Sequence, residues 1–382
     1  MDAFETVPEQ AEAKRLLRAA LAEDAPAHAY LFHGPRGVGK RRAALGFAAE
    51  LIAASPRGEP AGSPDAAAES AASDRGRVER GSHPDVYLVE PLGDQIRIDD
   101  IRELRRDLHM RPFEAARRVY LVYAAETMNE DAADALLKDL EEPPSYAVIV
   151  LVADDLGPLP ETIRSRCQLV PFTRLSERAI RQELDARAPG LEPDQAASLA
   201  RLAAGRLDRV QRLLDPASAR RREALLEVAR AVYAEPAFEP GDAAARILEG
   251  ARERADESKE QAEQELELLD LTARESEQRV RRAARGAERE ELLASLEELA
   301  SWYRDLVVVA VGAERAVVHA DRLDVLVADG TTERLAGAER AAELTRETWR
   351  AFEEFNLSPP LALEALFVKL RRELGANVPS LT

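Results

Sequence analysis

A short apolar run, HAYLFHG (28–34), leads directly into GPRGVGK (34–40), and an alanine-rich segment carries on to Leu51. The pattern G-x-x-x-x-G-K between a strand and a helix is demanding. Its glycines turn backbone N–H groups toward one point at a helix N-terminus, where phosphate oxygens can sit. Gly34, Gly37, Gly39 and Lys40 are therefore the candidate nucleotide-binding residues, with Lys40 adding positive charge near the β and γ phosphates. The plainer alternative is a glycine-rich turn carrying an exposed lysine.

Hydrolysis asks for more than the cradle. Magnesium is normally held by a hydroxyl directly after the lysine and by an acidic residue at the end of another strand. Position 41 is Arg41, a cation with no side-chain oxygen. The candidate acidic strand, VYLVYAAET, places Tyr123 and Ala124 where an Asp and a water-activating Glu are expected. Glu126 comes two residues late and reads as a cap or a solvent-facing group. Two independent departures strike one chemical function, so no metal site is expected.

Further along, DVYLVE (85–90), RRVYLVY (117–123) and AVIVLVA (147–153) read as strands, the last as one buried on both faces. Helical segments separate them: Asp99 to Met110, with Asp99 a possible cap, and Asn129 to Glu142, stopped by Pro143-Pro144. This alternation indicates βαβ units and a parallel sheet. Residues 55–82 are rich in Pro, Gly, Ser and Ala, nearly lack large apolar residues, and read as a flexible excursion.

After Phe172 strand signals fade. LSERAIRQELDAR, DQAASLARLAAG and SARRREALLEVARAVYA suggest a small helical domain to about residue 235, and further helices follow, including Ala338–Phe355 and Pro360–Leu374. The stretch 249–291 is dense in charge and poor in apolar residues, as expected for a solvated helix or hairpin held by i,i+4 pairs.

A net charge of −18 argues against an autonomous nucleic-acid binder, though it leaves room for a local basic patch. No apolar run approaches the roughly 20 residues that span a bilayer. The first ten residues show no signal-peptide pattern, so the expectation is a cytoplasmic protein without membrane contact. One cysteine, Cys167, excludes an internal disulfide framework and a Cys-rich zinc site, and it reads as a small buried residue. His28, His33, His83, His109 and His319 lack metal-ligand spacing. In TIRSRCQ (162–168), Arg164 and Arg166 lie close together; alone they read as surface charge, with an arginine finger as the functional alternative.

Taken together, HAYLFHGPRGVGK (28–40), SHPDVYLVE (82–90), IRIDDIREL (96–104), MNEDAADALLKDLEEPP (128–144) and LPETIRSRC (159–167) resemble the clamp-loader branch of the AAA+ proteins. Within it they resemble the delta-prime type found in bacterial DNA polymerase III. The resemblance is dense over residues 1–172, moderate through the small helical domain and weak beyond. WYRDL (302–306) and NLSPPLALEAL (356–366) are its later echoes.

It implies a RecA-like α/β P-loop domain with a parallel sheet at 1–172, a helical lid at 173–235 and an all-α collar at 236–382. It implies that Arg166 reaches, in trans, the ATP of an adjacent motor subunit. The implied partners are gamma/tau-type ATPase and delta subunits, with the sliding clamp and primer-template DNA met through the complex. Loss of magnesium and hydrolysis residues is common in the delta-prime type. No cofactor is then required, and ATP or ADP binding without hydrolysis stays open. Relatives usually carry four zinc-binding cysteines between the first helix and the HPDV strand. None stands in 55–82, so no zinc is expected. The function expected is a non-hydrolysing clamp-loader subunit; an active AAA+ motor and a stand-alone nucleotide-sensing adaptor are the alternatives.

Overall fold

The computed structural model describes residues 4–22, 26–54, 64–91, 95–266, 273–355 and 357–375. They divide into two compact units, Met1–Glu183 with Ala204–Arg209, and Leu184–Ala203 with Val210–Thr382. Residues 173–235, expected as a separate lid, contribute to both.

The first unit is built on helix α1 (Ala11–Ala22), strand β1 (Ala29–His33), helices α2 (Lys40–Ala53) and α3 (Pro64–Glu79), and strand β2 (Val86–Val89). Then come α4 (Ile98–Leu108), β3 (Arg118–Tyr123), α5 (Glu130–Glu141), β4 (Ala147–Ala153), α6 (Glu161–Arg164), β5 (Gln168–Pro171) and α7 (Glu177–Arg187). All strand pairs are parallel, in the order β2-β3-β4-β1-β5. Every residue of β3 and β4 is buried, and so are the first four of β1. That is the signature of a sheet covered on both faces, and it explains why AVIVLVA does not alternate in polarity. Alternate side chains still part company: Tyr30 and Phe32 pack with Phe47, while Ala29 and Leu31 pack with Ile101 and Leu136.

Register sets the position of the functional loop. His33 pairs with Ala153 on one side and with Pro171 on the other. The loop after β1 therefore starts beside Asp154, which follows β4, and beside Phe172, which follows β5. Ligand sites in open parallel sheets gather at this carboxyl edge, where the strand order reverses.

Two local expectations need correcting. Residues 64–79 of the supposed flexible excursion form helix α3. Val78 is fully buried, and Arg75 makes paired hydrogen bonds of 2.8 and 2.9 Å to Glu50 on α2. Alanines supply helix propensity here without needing large apolar side chains; residues 55–63 lie outside the described residues. Asp99 does not cap α4 either. It sits inside the first turn, and Asp100 accepts the Arg97 N–H at 2.9 Å instead.

The second unit, among the described residues, is helical. Its helices are α8 (Pro193–Ala203), α9 (Leu207–Leu214, whose first turn belongs to the first unit), α10 (Pro216–Ala234), α11 (Pro240–Leu266), α12 (Ala273–Ala310), α13 (Leu323–Asp329), α14 (Leu335–Glu354) and α15 (Pro359–Leu374). The sequence reading missed α9 and α13, both short. Trp302, Tyr303, Leu296, Leu299 and Phe367 centre the core. Of stretch 249–291, the described residues belong to α11 and α12, which pack against each other as the hairpin alternative expected; residues 267–272 lie outside the described residues. No described helix is long and apolar enough to cross a membrane.

Candidate phosphate-loop site and the arginine corner

Gly34, Gly37 and Gly39 all lie at positive φ, 135°, 75° and 100°. Two of them are also held by space. A Cβ at Gly34 would fall 2.1 Å from the Phe172 carbonyl oxygen, and one at Gly37 would fall 1.8 Å from Asp208 Oδ1. Leu207 N–H donates to Gly37 O at 2.7 Å, fastening the loop from a distant part of the chain. The lysine is not exposed, as the turn-only alternative required; Lys40 is 4% exposed.

Its three ammonium donors are all spent on the chain's own oxygens. Lys40 Nζ reaches Gly34 O at 2.5 Å, Pro35 O at 2.7 Å and Asp154 Oδ1 at 2.7 Å. A phosphate must displace Asp154 before it can be held by this lysine. A second acid flanks the loop. Asp208 accepts two hydrogen bonds from Arg206, at 3.2 and 2.6 Å, and faces Arg36 at 4.0 Å. Burial works to raise the Asp208 carboxyl, but Arg206 outweighs it and holds the group below its ordinary value.

At position 41, where a hydrolytic loop carries a hydroxyl, the chain holds a cation on an aromatic ring. Arg41 Cζ lies 4.2 Å from the centroid of Tyr123, and the guanidinium also pairs with Glu90. Burial pushes the Tyr123 hydroxyl up to about 12, so it stays neutral and offers no anionic oxygen. Ala124 turns the chain at φ 51° and carries no carboxylate.

Glu126 departs from its expected place at the surface. It lies in a 3-10 turn, Ala125–Thr127, with Oε2 buried and lacking a hydrogen-bond partner. Burial, reinforced by the nearby Asp154 charge, pushes its carboxyl up to about 7. Asp154 was legible in principle, because it directly follows an unbroken buried strand. Asp208 carried no sequence signal.

The two most specific stretches of the sequence meet in space. Arg166, from TIRSRC, pairs with Glu141, from LLKDLEEPP, and donates to Thr162 O at 2.8 Å. Its side chain remains 34% exposed. Arg164 differs: its Nε is buried with no hydrogen-bond partner. Burial pushes the Cys167 thiol up to about 12, which keeps it protonated and unreactive.

SHPD is structural. Asp85 is fully buried and accepts the N–H groups of Phe113, Glu114 and Ala115 at 2.6, 2.8 and 2.8 Å. Asp74, His83 and Glu114 come together nearby in a spacing a metal ion could use. The chemistry does not fit one. His83 Nδ1 accepts the Asp85 N–H at 3.1 Å, which leaves the proton on Nε2, the nitrogen facing Asp74. A histidine ligand needs the reverse arrangement, with its second nitrogen donating. Arg77 already neutralises Asp74 and Glu114.

Residues 9–176 match the family model described as "DNA polymerase III, delta subunit". The DNA polymerase III subunit delta' of Bacillus subtilis (strain 168) is 34% identical over 201 residues, 53% of this chain and 57% of that protein. The tau subunit of the same organism is 34% identical over 178 residues, 46% of this chain but 30% of its own length. The chain thus spans little more than half of one relative and less than a third of the other. Among solved structures, a DNA polymerase III gamma subunit-related protein from Thermotoga maritima covers 95% of this chain and 99% of its own, at 17% identity and a TM-score of 0.40. A parallel sheet of this order, with the glycine loop leaving its inner strand β1 for α2, makes the first unit a RecA-like α/β P-loop domain. Over residues 9–176, then, the chain is similar to the DNA polymerase III delta subunit family and, within it, to the delta' subunits.

Proposed function

We propose that this chain is a non-hydrolysing subunit of a DNA polymerase III clamp loader, seated beside gamma/tau-type ATPase and delta subunits and supporting the loading of a sliding clamp onto primer-template DNA. The observation that supports the reading is the Arg41–Tyr123 stack with Glu90: the residue directly after the loop lysine is a cation held on an aromatic ring and offers a magnesium ion no oxygen. A magnesium nucleotide does not fit these residues. A cation stands at 41, no carboxylate stands at 123 or 124, and the lysine donors are spent. No hydrolytic step is assigned to the chain. The glycine loop keeps a shape that accepts a phosphate once Lys40 exchanges Asp154 for it, so ADP or ATP binding without turnover belongs to the proposal. Zinc does not.

Arg166 is the residue through which the subunit acts on chemistry elsewhere. Its planar cation, half-freed at the surface and steadied by Glu141, supports a role in stabilising charge on a phosphate bound by the neighbouring ATPase. Reconstitution with partner subunits tests this: hydrolysis should need the partner's phosphate loop and this chain's Arg166, and should be indifferent to Lys40→Ala here. A second reading, an active motor subunit, draws on the complete Gly34–Lys40 pattern and the likeness to tau. ATP turnover by the purified chain, abolished by Lys40→Ala, would establish that reading in place of the first.

A further inference from the structure

The hairpin of α11 and α12 has no part in the nucleotide-loop reading. Its inner seam on α12 is small-sided: Val280, Ala283, Ala284 and Ala287 recur at helical spacing, Ala287 is buried, and Ser258 of α11 donates to Ala283 O at 3.3 Å. Beyond that seam Arg279, Arg282 and Arg285 are exposed, and none has an acidic partner among the described residues. Arg281 does follow the expected i,i+4 scheme, bonding Glu277 at 2.5 Å.

Two local rules are broken on this face at once. Arg279, Arg282 and Arg285 are like charges at successive i,i+3 positions, and Arg281 and Arg285 are like charges at i,i+4, which is unfavourable in a helix. Gly286, also exposed and a turn from Arg282, has no atom within 4 Å of where a Cβ would stand. Glycine inside a helix is costly relative to alanine, and no close contact requires it here. A chain with 71 acidic residues against 53 basic ones has carboxylates to spare, yet among the described residues none is paired with these arginines. Unoffset local costs gathered in one place point to function.

We propose that this face of α12 binds the phosphate backbone of a nucleic acid. Three exposed arginines span about 9 Å at 1.5 Å of rise per residue, enough to follow neighbouring phosphates. Guanidinium forks suit phosphate oxygens, and the bare Gly286 lets a strand approach the helix surface. An acidic protein partner is the less fitting occupant. Among the described residues no large apolar side chain is exposed on this face to anchor it, whereas backbone neutralisation needs none. The acidity of the rest of the chain opposes the attraction, and salt screens it beyond about a Debye length, so binding is strongest at low salt.

The inference stands apart from the nucleotide-loop reading. Its test is fluorescence anisotropy of the full chain with a labelled DNA of arbitrary sequence, titrated at several salt concentrations. The expected result is binding whose affinity falls with salt at a log–log slope of about −3, one counterion per arginine. Arg279→Ala/Arg282→Ala/Arg285→Ala should weaken it about tenfold or more and flatten the slope. Arg282→Gln, which preserves helix propensity, should give a partial loss, and Arg372→Ala on α15 should give none. Unaltered binding by the triple variant, or no binding at low salt, overturns the proposal. So does equal capture of polyglutamate with the same loss on mutation, which would assign the face to an acidic protein.

Discussion

The Arg41 guanidinium lies 4.2 Å from the Tyr123 ring centroid, and the two residues that depart from a hydrolytic site are thereby one another's packing partner. A change at either alone leaves the other without its contact. Arg41→Thr should therefore restore no ATP hydrolysis, since positions 123 and 124 still lack carboxylates. It should lower stability modestly, by about 0.5–1 kcal/mol for an exposed cation–π contact. Phosphate release and a thermal melt measure both; appreciable turnover by the single variant would contradict the argument.

Glu126 gives the site a pH signature. Its folded pKa, raised to about 7 by burial, exceeds the unfolded value near 4.5, so the folded state holds the proton more tightly between those limits. Stability should fall as pH climbs from about 4.5 to 7 and then level off. Glu126→Gln keeps the shape and removes the titration. At pH 8 it should be more stable than the parent by up to ~3 kcal/mol, with the gap closing toward pH 4.5. Parallel denaturation curves for the two proteins at both pH values would remove the basis for this prediction.

Arg166→Ala should leave the chain folded and the loader assembled, because its Glu141 partner is half-exposed and a surface ion pair contributes little. Hydrolysis by the complex at the adjacent site should nevertheless drop by about 10³-fold. Lysine should rescue poorly, since it keeps charge but loses the fork. Glu141→Gln should retain hydrolysis, which separates an orienting partner from the acting cation. Undiminished hydrolysis with Arg166→Ala would transfer the role to Arg164.

His319 should make the helical unit pH-sensitive with the same sign in a higher window. It is fully buried, with Nδ1 2.8 Å from Asp305 and Nε2 3.2 Å from Glu298. Arg304 and Arg222 face those carboxylates in turn. Burial works to lower the imidazole pKa, but the two carboxylates outweigh it and raise the value. Stability from this group is complete below its ordinary value near 6.5 and is lost as pH rises through the raised folded value. Thermal melts from pH 6 to 9 should decline more steeply for the parent than for His319→Gln. Equal slopes would mean the histidine is neutral in the fold.

Much of the fold was legible because it rests on local chemistry. Unbroken β-branched runs favour strands covered on both faces, and a glycine loop between strand and helix favours N–H groups turned toward one place. That Arg41, Tyr123 and Ala124 offer no carboxylate was readable for the same reason: it is visible in the residue type. Helix α3 was missed because alanines hide a helix inside a loop-like composition. Glu126 was misplaced because two residues past a strand end says nothing of which way a tight turn at φ 51° swings the next side chain.

The sequence by itself determined what the phosphate loop lacks, and only the tertiary structure decided what replaces it. Asp154 reaches Lys40 because β4 and β1 share a register ending at His33 and Ala153, 120 residues apart. Asp208 reaches Gly37 across a still longer separation. Arg166 meets Glu141 because α5 and α6 pack together. Each pairing joins side chains remote in sequence, and no local pattern encodes such a meeting. Strand register and helix packing do.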